Sequence, residues 1–89
     1  MTIVLEVAEG LTVEKTDYEA RYYYNGGEFV FNGEQGRGEC WINGTHYCYS
    51  LDDNETMRIT GNNDEVVYTV ENALDEDTMY AFIKKAIVE

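Results

Sequence analysis

Apolar and polar residues alternate along most of this chain, which is the pattern of β-strands that are buried on one face. The pattern is clearest in residues 36–51, where Asn43-Gly44 separates two alternating runs. An Asn-Gly pair favours a two-residue hairpin turn, because both turn positions require φ > 0. The resulting register pairs Ile42 with Thr45 and Cys40 with Tyr47.

This register gives the hairpin one apolar face and one mostly polar face. The polar face has a large exception in Trp41, which shares it with Glu39 and His46. We expect Trp41 either to pack under the N-terminal strand or to serve as a binding anchor. The predicted core face carries Cys40, Ile42, Tyr47, Tyr49 and Leu51.

The N-terminal part of the chain continues the alternation. Residues 2–8 are predicted to form a strand that ends at a Glu9-Gly10 turn. Residues 11–24 are predicted to form one long strand that bends around residues 15–17. A turn at Asn25-Gly26-Gly27 then returns the chain, with either Asn25-Gly26 or Gly26-Gly27 as its two loop residues. In both cases one face of this hairpin carries Tyr18, Ala20, Tyr22, Tyr24, Phe29 and Phe31.

Loop length decides which face the later strands present, because a slip of one residue turns every side chain over. A five-residue loop at residues 52–56 keeps Met57 on the core face. Every connection can then place the apolar residues of its two strands on the same face of the sheet, which favours a simple meander. With a four-residue loop at residues 61–64, the last strand adds Val66, Tyr68 and Val70 to that face.

Residues 74–88 are predicted to form a helix, because apolar residues recur at i, i+3, i+4, i+7 and i+8 from Met79. Asp75 is a suitable N-cap, and Glu76 and Asp77 complement the positive end of the helix. This helix can cover the apolar face of the sheet, which would otherwise be exposed.

The expected fold class is therefore α+β. It is an antiparallel β meander of about six strands, with one C-terminal helix packed across one face. At 89 residues, the chain is long enough for a single domain, residues 1–89.

Charge narrows the range of partners. Asp and Glu number 18 against 6 Lys and Arg, which gives a formal net charge of −12. Such a charge argues against direct binding to nucleic acid or to an anionic membrane, and it favours a basic protein partner. A solvated acidic surface and a salt-adapted protein are the alternatives.

No group of polar residues has the spacing of a catalytic or cofactor site. The acidic run at residues 52–55 lacks the spacing of a calcium loop, and the glycine-rich residues 32–38 lead into a strand, not into a phosphate-binding helix. Cys40 faces away from His46 in the predicted register. We expect no enzymatic activity, no cofactor and no metal.

The cysteines and the N-terminal residues predict a cytoplasmic location without a signal peptide. Cys40 and Cys48 fall on opposite faces of the hairpin, so they are expected to be free thiols, which suits a reducing cytoplasm. Residues 2–8 lack the basic start of a signal peptide, and no apolar run reaches membrane-spanning length.

The predicted connections concentrate acidic residues at one end of the meander. If the strands alternate up and down, the turn at Glu9, the loop at residues 32–38, the loop at residues 52–56 and the start of the helix share that end. We call this set the predicted acidic rim. It comprises Glu9, Glu34, Asp52, Asp53, Glu55, Glu71, Asp75, Glu76 and Asp77.

A row of carboxylates can imitate a line of phosphates and occupy a channel lined by Lys and Arg. In size, acidity and lack of a catalytic motif, the chain resembles the small phage-encoded inhibitors of bacterial defence nucleases, the anti-CRISPR and anti-restriction proteins. The resemblance implies a stoichiometric inhibitor that mimics DNA in the cytoplasm of an infected bacterium. A generic acidic interaction module that binds another basic protein surface is the alternative.

Overall fold

The part of the chain that the structure describes folds into one antiparallel sheet followed by one helix. The computed structural model describes residues 2–34 and 36–89, and the side chain of Glu34 also lies outside the description. The strands are β1 (Ile3–Ala8), β2 (Leu11–Lys15), β3 (Ala20–Tyr24), β4 (Gly27–Glu34), β5 (Arg37–Ile42), β6 (Thr45–Leu51), β7 (Met57–Thr60) and β8 (Val66–Val70), and the helix is α1 (Glu76–Val88).

The sheet is a simple meander, because the order of the strands across it is the order along the chain. This confirms the predicted antiparallel sheet with a C-terminal helix, but the described strands number eight, more than the predicted six. The predicted long strand over residues 11–24 is wrong, because the chain reverses and Val13 pairs with Tyr22. The reversal is stabilised by Thr16, whose hydroxyl oxygen accepts from the backbone N–H groups of Tyr18 and Glu19.

The predicted Asn43-Gly44 hairpin is confirmed, and the earlier hairpin turns at Asn25-Gly26, which is one of the two alternatives considered. Asn43 and Gly44 have φ values of 49° and 88°, as a two-residue turn of this type requires. The sheet register pairs Ile42 with Thr45 and Cys40 with Tyr47. The predicted pair of Leu51 with Met57 is also present, and Tyr22 lies opposite Phe29, which agrees with the face that they were predicted to share.

The last hairpin departs from the predicted register. Its loop has five residues, closed by a hydrogen bond from Gly61 N to Glu65 O at 2.9 Å. A bulge then shifts the pairing, so that Thr60 lies opposite Val66 while Ile59 lies opposite Tyr68. The extra residue turns Val66 away from the core, and its side chain is exposed. The prediction for Val66 is therefore wrong, whereas Tyr68 packs against the core and Val70 is buried.

The core lies between one face of the sheet and α1. Leu11, Phe29, Cys40 and Ile59 are fully buried on the sheet. The helix contributes Ile83, Ala86 and Ile87, and its Phe82 ring lies 6.0 Å from Phe29 and 5.3 Å from Tyr68 between ring centroids. Burial of each large apolar side chain contributes roughly 1.5–3 kcal/mol before entropy is counted.

Candidate interaction surface

The meander brings several acidic segments to the same end of the sheet. Successive antiparallel strands alternate in direction, so the turn at residues 16–19, the loop at residues 52–56, the segment at residues 71–75 and the start of α1 share one end. We call the exposed carboxylates there the acidic end: Asp17, Asp52, Asp53, Glu55, Glu71, Asp75, Glu76 and Asp77.

Backbone hydrogen bonds hold these segments beside one another. Ala73 N donates to Glu55 O at 2.8 Å and so joins the segment before the helix to the loop at residues 52–56. Leu51 N donates to Gly36 O at 2.6 Å. The loop at residues 52–56 and the segment before the helix therefore form one connected part of the acidic end.

Asp52 is already used within the fold. Its side chain accepts hydrogen bonds from Asn54 N at 2.9 Å and Thr56 N at 3.1 Å, which closes the loop. Its other carboxylate oxygen lies 2.6 Å from Arg58 Nη1. The hydrogen bond from Arg58, followed by the backbone donors, lowers the pKa of Asp52 below its usual value. Asp52 is thus mainly a loop-closing residue.

Two carboxylates at the start of α1 also have internal partners. Asp75 is the N-cap, as predicted, and accepts from Thr78 N at 2.9 Å and Thr78 Oγ1 at 2.8 Å. The backbone donor at Thr78 is the largest cause that lowers the pKa of Asp75. Glu76 accepts a hydrogen bond from Tyr80 Oη at 3.0 Å.

The other carboxylates of the acidic end are better placed for a partner. Within the described residues, these side chains make neither an ion pair nor a hydrogen bond: Asp17, Asp53, Glu55, Glu71 and Asp77. Among the described residues, the cations at this end are Arg58, which is paired with Asp52, Arg21, which is paired with Glu19 and Glu28, and the exposed Lys15 and Arg37. Negative charge therefore predominates there.

The structure corrects the position of one member of the predicted acidic rim, Glu9, and leaves another, Glu34, untested. Glu9 lies at the opposite end, because the additional turn at residues 16–19 reverses the direction of every earlier strand. Consistently, a Cβ atom on Gly10 would lie 3.4 Å from the ring of Tyr24, beside the turn at the opposite end. Asp17 replaces Glu9 at the acidic end. The side chain of Glu34 lies outside the described residues.

The opposite end is mixed in charge. It holds the turns at residues 9–10, 25–26 and 43–44, the loop at residues 61–65 and the end of α1. Its charged residues of both signs are Glu9, Asp64, Glu65, Lys84, Lys85 and Glu89. The two ends of the sheet thus differ in charge, as the sequence pattern predicts.

Sequence reasoning missed two apolar side chains at the acidic end. Tyr18, predicted to face the core, is 83% exposed, because the Thr16 turn removes it from the sheet. Leu74 is 61% exposed just before α1. Beside Leu74 lies an apolar groove of about 320 Å³, lined by Phe31, Tyr49, Leu51, Met57 and Met79, among others. Exposed apolar residues of this kind anchor many protein interfaces.

Trp41 lies apart from the acidic end. It is on the sheet face opposite α1, half-buried, beside Val30 on β4 and with its ring centroid 5.2 Å from that of His46. It lines a shallow pocket of about 290 Å³ together with Arg21 and Glu28. Since β1 is separated from β5 by other strands, Trp41 does not pack under the N-terminal strand as considered above.

Comparison with family models, curated proteins and solved structures found no match to this chain. Within residues 2–34 and 36–89, no group of three or more His, Cys, Asp or Glu side chains is arranged to hold a metal ion. The helix found in this part of the chain is too short and too polar to cross a membrane.

Proposed function

We propose that the chain is a non-enzymatic inhibitor that binds the basic nucleic-acid groove of a bacterial defence nuclease and competes with DNA. The supporting observation is the acidic end, where the loop at residues 52–56, the joined segment at residues 71–75 and the start of α1 carry exposed carboxylates. A groove that binds DNA carries Lys and Arg at phosphate spacing, and such a surface is complementary to it.

Binding of this kind is distributed over many weak contacts. An exposed ion pair contributes roughly 0–1 kcal/mol, so no single carboxylate dominates. The summed field of the acidic end instead accelerates association, and added salt weakens the effect. Tyr18 and Leu74 supply apolar contacts that salt does not screen, so the affinity has a salt-insensitive part.

The absence of enzymatic activity is part of the proposal. The groups that could act as nucleophile and base are separated: Cys40 is buried on the core face, whereas His46 is on the other face and contacts Glu39 at 3.0 Å. Burial raises the pKa of Cys40 to about 12, which keeps its thiol protonated and unreactive at neutral pH. We therefore expect inhibition at a one-to-one ratio, without turnover of any substrate.

The experiment measures displacement of a fluorescent DNA duplex from purified defence nuclease complexes, by anisotropy and by loss of cleavage. The informative variant is Asp53→Lys with Glu71→Lys, because neither side chain has an internal partner among the described residues. Asp52 and Asp75 are left intact, since both stabilise the local fold.

The matched control is Glu9→Lys with Glu65→Lys at the opposite end. Each double variant changes the formal charge from −12 by four units to −8, so only the position of the change differs. We expect the acidic-end variant to associate at least about tenfold more slowly at low salt, with a shallower salt dependence, and the control to resemble wild type. Equal effects of the two variants would contradict the proposal.

The exposed Tyr18 favours a second candidate function, an acidic module that binds a basic protein surface unrelated to nucleic acid. A large aromatic side chain suits a pocket on a folded protein better than an open channel. In that case the chain binds a basic protein without displacing DNA, and Tyr18→Ser weakens binding more than the two-residue charge reversal does.

A further inference from the structure

The strand β1 forms an unpaired edge of the sheet with apolar side chains on both faces. Ile3, Val4 and Leu5 are 49%, 63% and 54% exposed, and β1 is the first strand in the sheet order. An edge strand presents a row of free backbone N–H and C=O groups, and exposed apolar edges of this kind promote pairing with another strand. The helix packs mainly over β3 and β4; Val7 and Ala8 at the end of β1 pack against the core, whereas Ile3, Val4 and Leu5 stay exposed.

The two edges of the sheet are not equivalent. At the β8 edge, the register shift between Ile59 and Thr60 places a bulge between Val66 and Tyr68 and interrupts regular pairing, and Glu65 and Glu71 flank the strand. At the β1 edge, the register shift lies between Glu6 and Ala8, beyond the apolar residues. Residues 3–6 therefore offer a regular, uninterrupted segment.

We infer that β1 pairs antiparallel with β1 of a second copy of the chain, around a two-fold axis at Val4. In this register Val4 lies opposite Val4 of the second copy, and Ile3 lies opposite Leu5. Paired residues in an antiparallel ladder share a face, so the exposed apolar side chains cover one another. Glu6, the only charged residue of β1, lies opposite Thr2 and does not face itself.

Charge favours a second copy over a basic partner at this edge. With one carboxylate on β1, the edge offers little attraction to Lys or Arg. Two chains of charge −12 repel one another, but antiparallel pairing points their acidic ends in opposite directions, which reduces the repulsion. The contact is smaller than a standard interface of roughly 800 Å² per partner, so we expect weak association that becomes stronger with salt.

Sedimentation equilibrium of the full chain, from micromolar to near-millimolar concentration, tests the inference. We expect a monomer–dimer equilibrium, a tighter dimer at high salt, and no larger species, because a two-fold contact closes on itself. Val4→Lys places two cations opposite each other and should leave a folded monomer, with dimer dissociation constant raised at least about tenfold. The matched control, Val67→Lys on the exposed part of β8, should leave the dimer unchanged.

Register is tested by a disulfide in a Cys48→Ser background, which removes the exposed native thiol. With dissolved oxygen as the oxidant that takes up the two electrons and two protons of the thiols, Val4→Cys should form a covalent dimer readily, since directly opposed residues have Cα separations that suit a disulfide. Glu6→Cys should form it much more slowly, because Glu6 does not face itself. A monomer at every concentration, open-ended polymers, loss of the dimer in the Val67 variant, or equal cross-linking at both positions would overturn the inference. The cross-linking result decides the matter even if Val4→Lys does not fold.

Discussion

The side chain of Asn43 joins the end of the helix to the central hairpin. Its amide nitrogen donates to the carbonyl oxygen of Ile87 at 2.7 Å, and its amide oxygen accepts from Glu28 N at 2.9 Å. The same residue has the positive φ that the hairpin turn requires. One side chain thus completes a turn, extends the pairing of β4 and satisfies a carbonyl in the last turn of α1.

Asn43→Asp should destabilise the fold by about 1–2 kcal/mol, measured by urea unfolding. Aspartate tolerates the turn geometry and still accepts from Glu28 N, but it cannot donate to Ile87 O and it adds negative charge at the helix C-terminus. Asn25→Asp is the control, because Asn25 has a similar φ of 50° in the neighbouring turn. A control effect as large as that of Asn43→Asp would show that the turn, and not the helix contact, is responsible.

Gly27→Ala should also destabilise, by about 1–3 kcal/mol, because the helix end packs directly on Gly27. A Cβ atom there would lie 2.5 Å from Ile87 Cγ2 and would overlap the Asn43 side-chain oxygen. At Gly61, the nearest atom to a new Cβ lies 3.4 Å away, on the Glu65 side chain. Gly61→Ala is therefore the matched control, and thermal unfolding of both variants should show a clear loss only for Gly27.

The two cysteines should differ strongly in reactivity. Cys40 is fully buried with its pKa raised to about 12 by burial, whereas Cys48 is exposed, and both are free. Alkylation of the native protein at mildly alkaline pH should modify Cys48 alone, and denaturant should expose Cys40 as well. Mass spectrometry counts the adducts. Two rapid adducts without denaturant would contradict the packing of β5, and none would indicate a disulfide.

Asp52 and Asp75 should contribute stability that depends on pH. Their pKa values are lowered in the folded state by Arg58 and by Thr78 N–H respectively, so folding favours their charged forms. This contribution is present above the unfolded pKa of about 3.9 and is lost as pH falls through the lower folded values.

The test compares the wild type with the double variant that carries Asp52→Asn and Asp75→Asn. The free energy of unfolding is measured with urea at several pH values between neutral and acid. Asn retains an acceptor for the loop and for the helix cap, so the double variant loses only the two charges. The wild type should therefore be more stable at neutral pH, where its carboxylates are charged, and the difference in stability should vanish in acid, where they are protonated. Asp53→Asn is the control, since its side chain is exposed and has no internal bond among the described residues. A difference that persists in acid would indicate lost geometry and not lost charge.

Local sequence signals were sufficient for most of the sheet. The Asn-Gly turns determine the pairing of Cys40 with Tyr47 and of Tyr22 with Phe29, because turn geometry and alternation both act over a few residues. The N-cap of α1 at Asp75 was predictable for the same reason. The unequal charge of the two ends follows from these local features once the strands alternate in direction.

Most of the errors arose where a polar side chain redirects the backbone without a glycine or proline to mark it. Thr16 closes a turn inside an otherwise alternating run, which adds a strand, moves Glu9 to the opposite end and exposes Tyr18. In the last hairpin Gly61 does mark the turn, but it does not indicate the loop length, and the bulge turns Val66 outward.

Short-range patterns alone determined the register of the central hairpins, the capped helix and the free thiols of this protein. Tertiary structure decided which acidic residues remain available to a partner. Asp52 is paired with Arg58 and closes its own loop, whereas Asp53 beside it is exposed. Tertiary structure also decided that the Asn43 side chain binds the end of the helix at Ile87, which is far from Asn43 in the chain. Such contacts depend on how whole elements pack, and the spacing of residues along a strand carries no information about that packing.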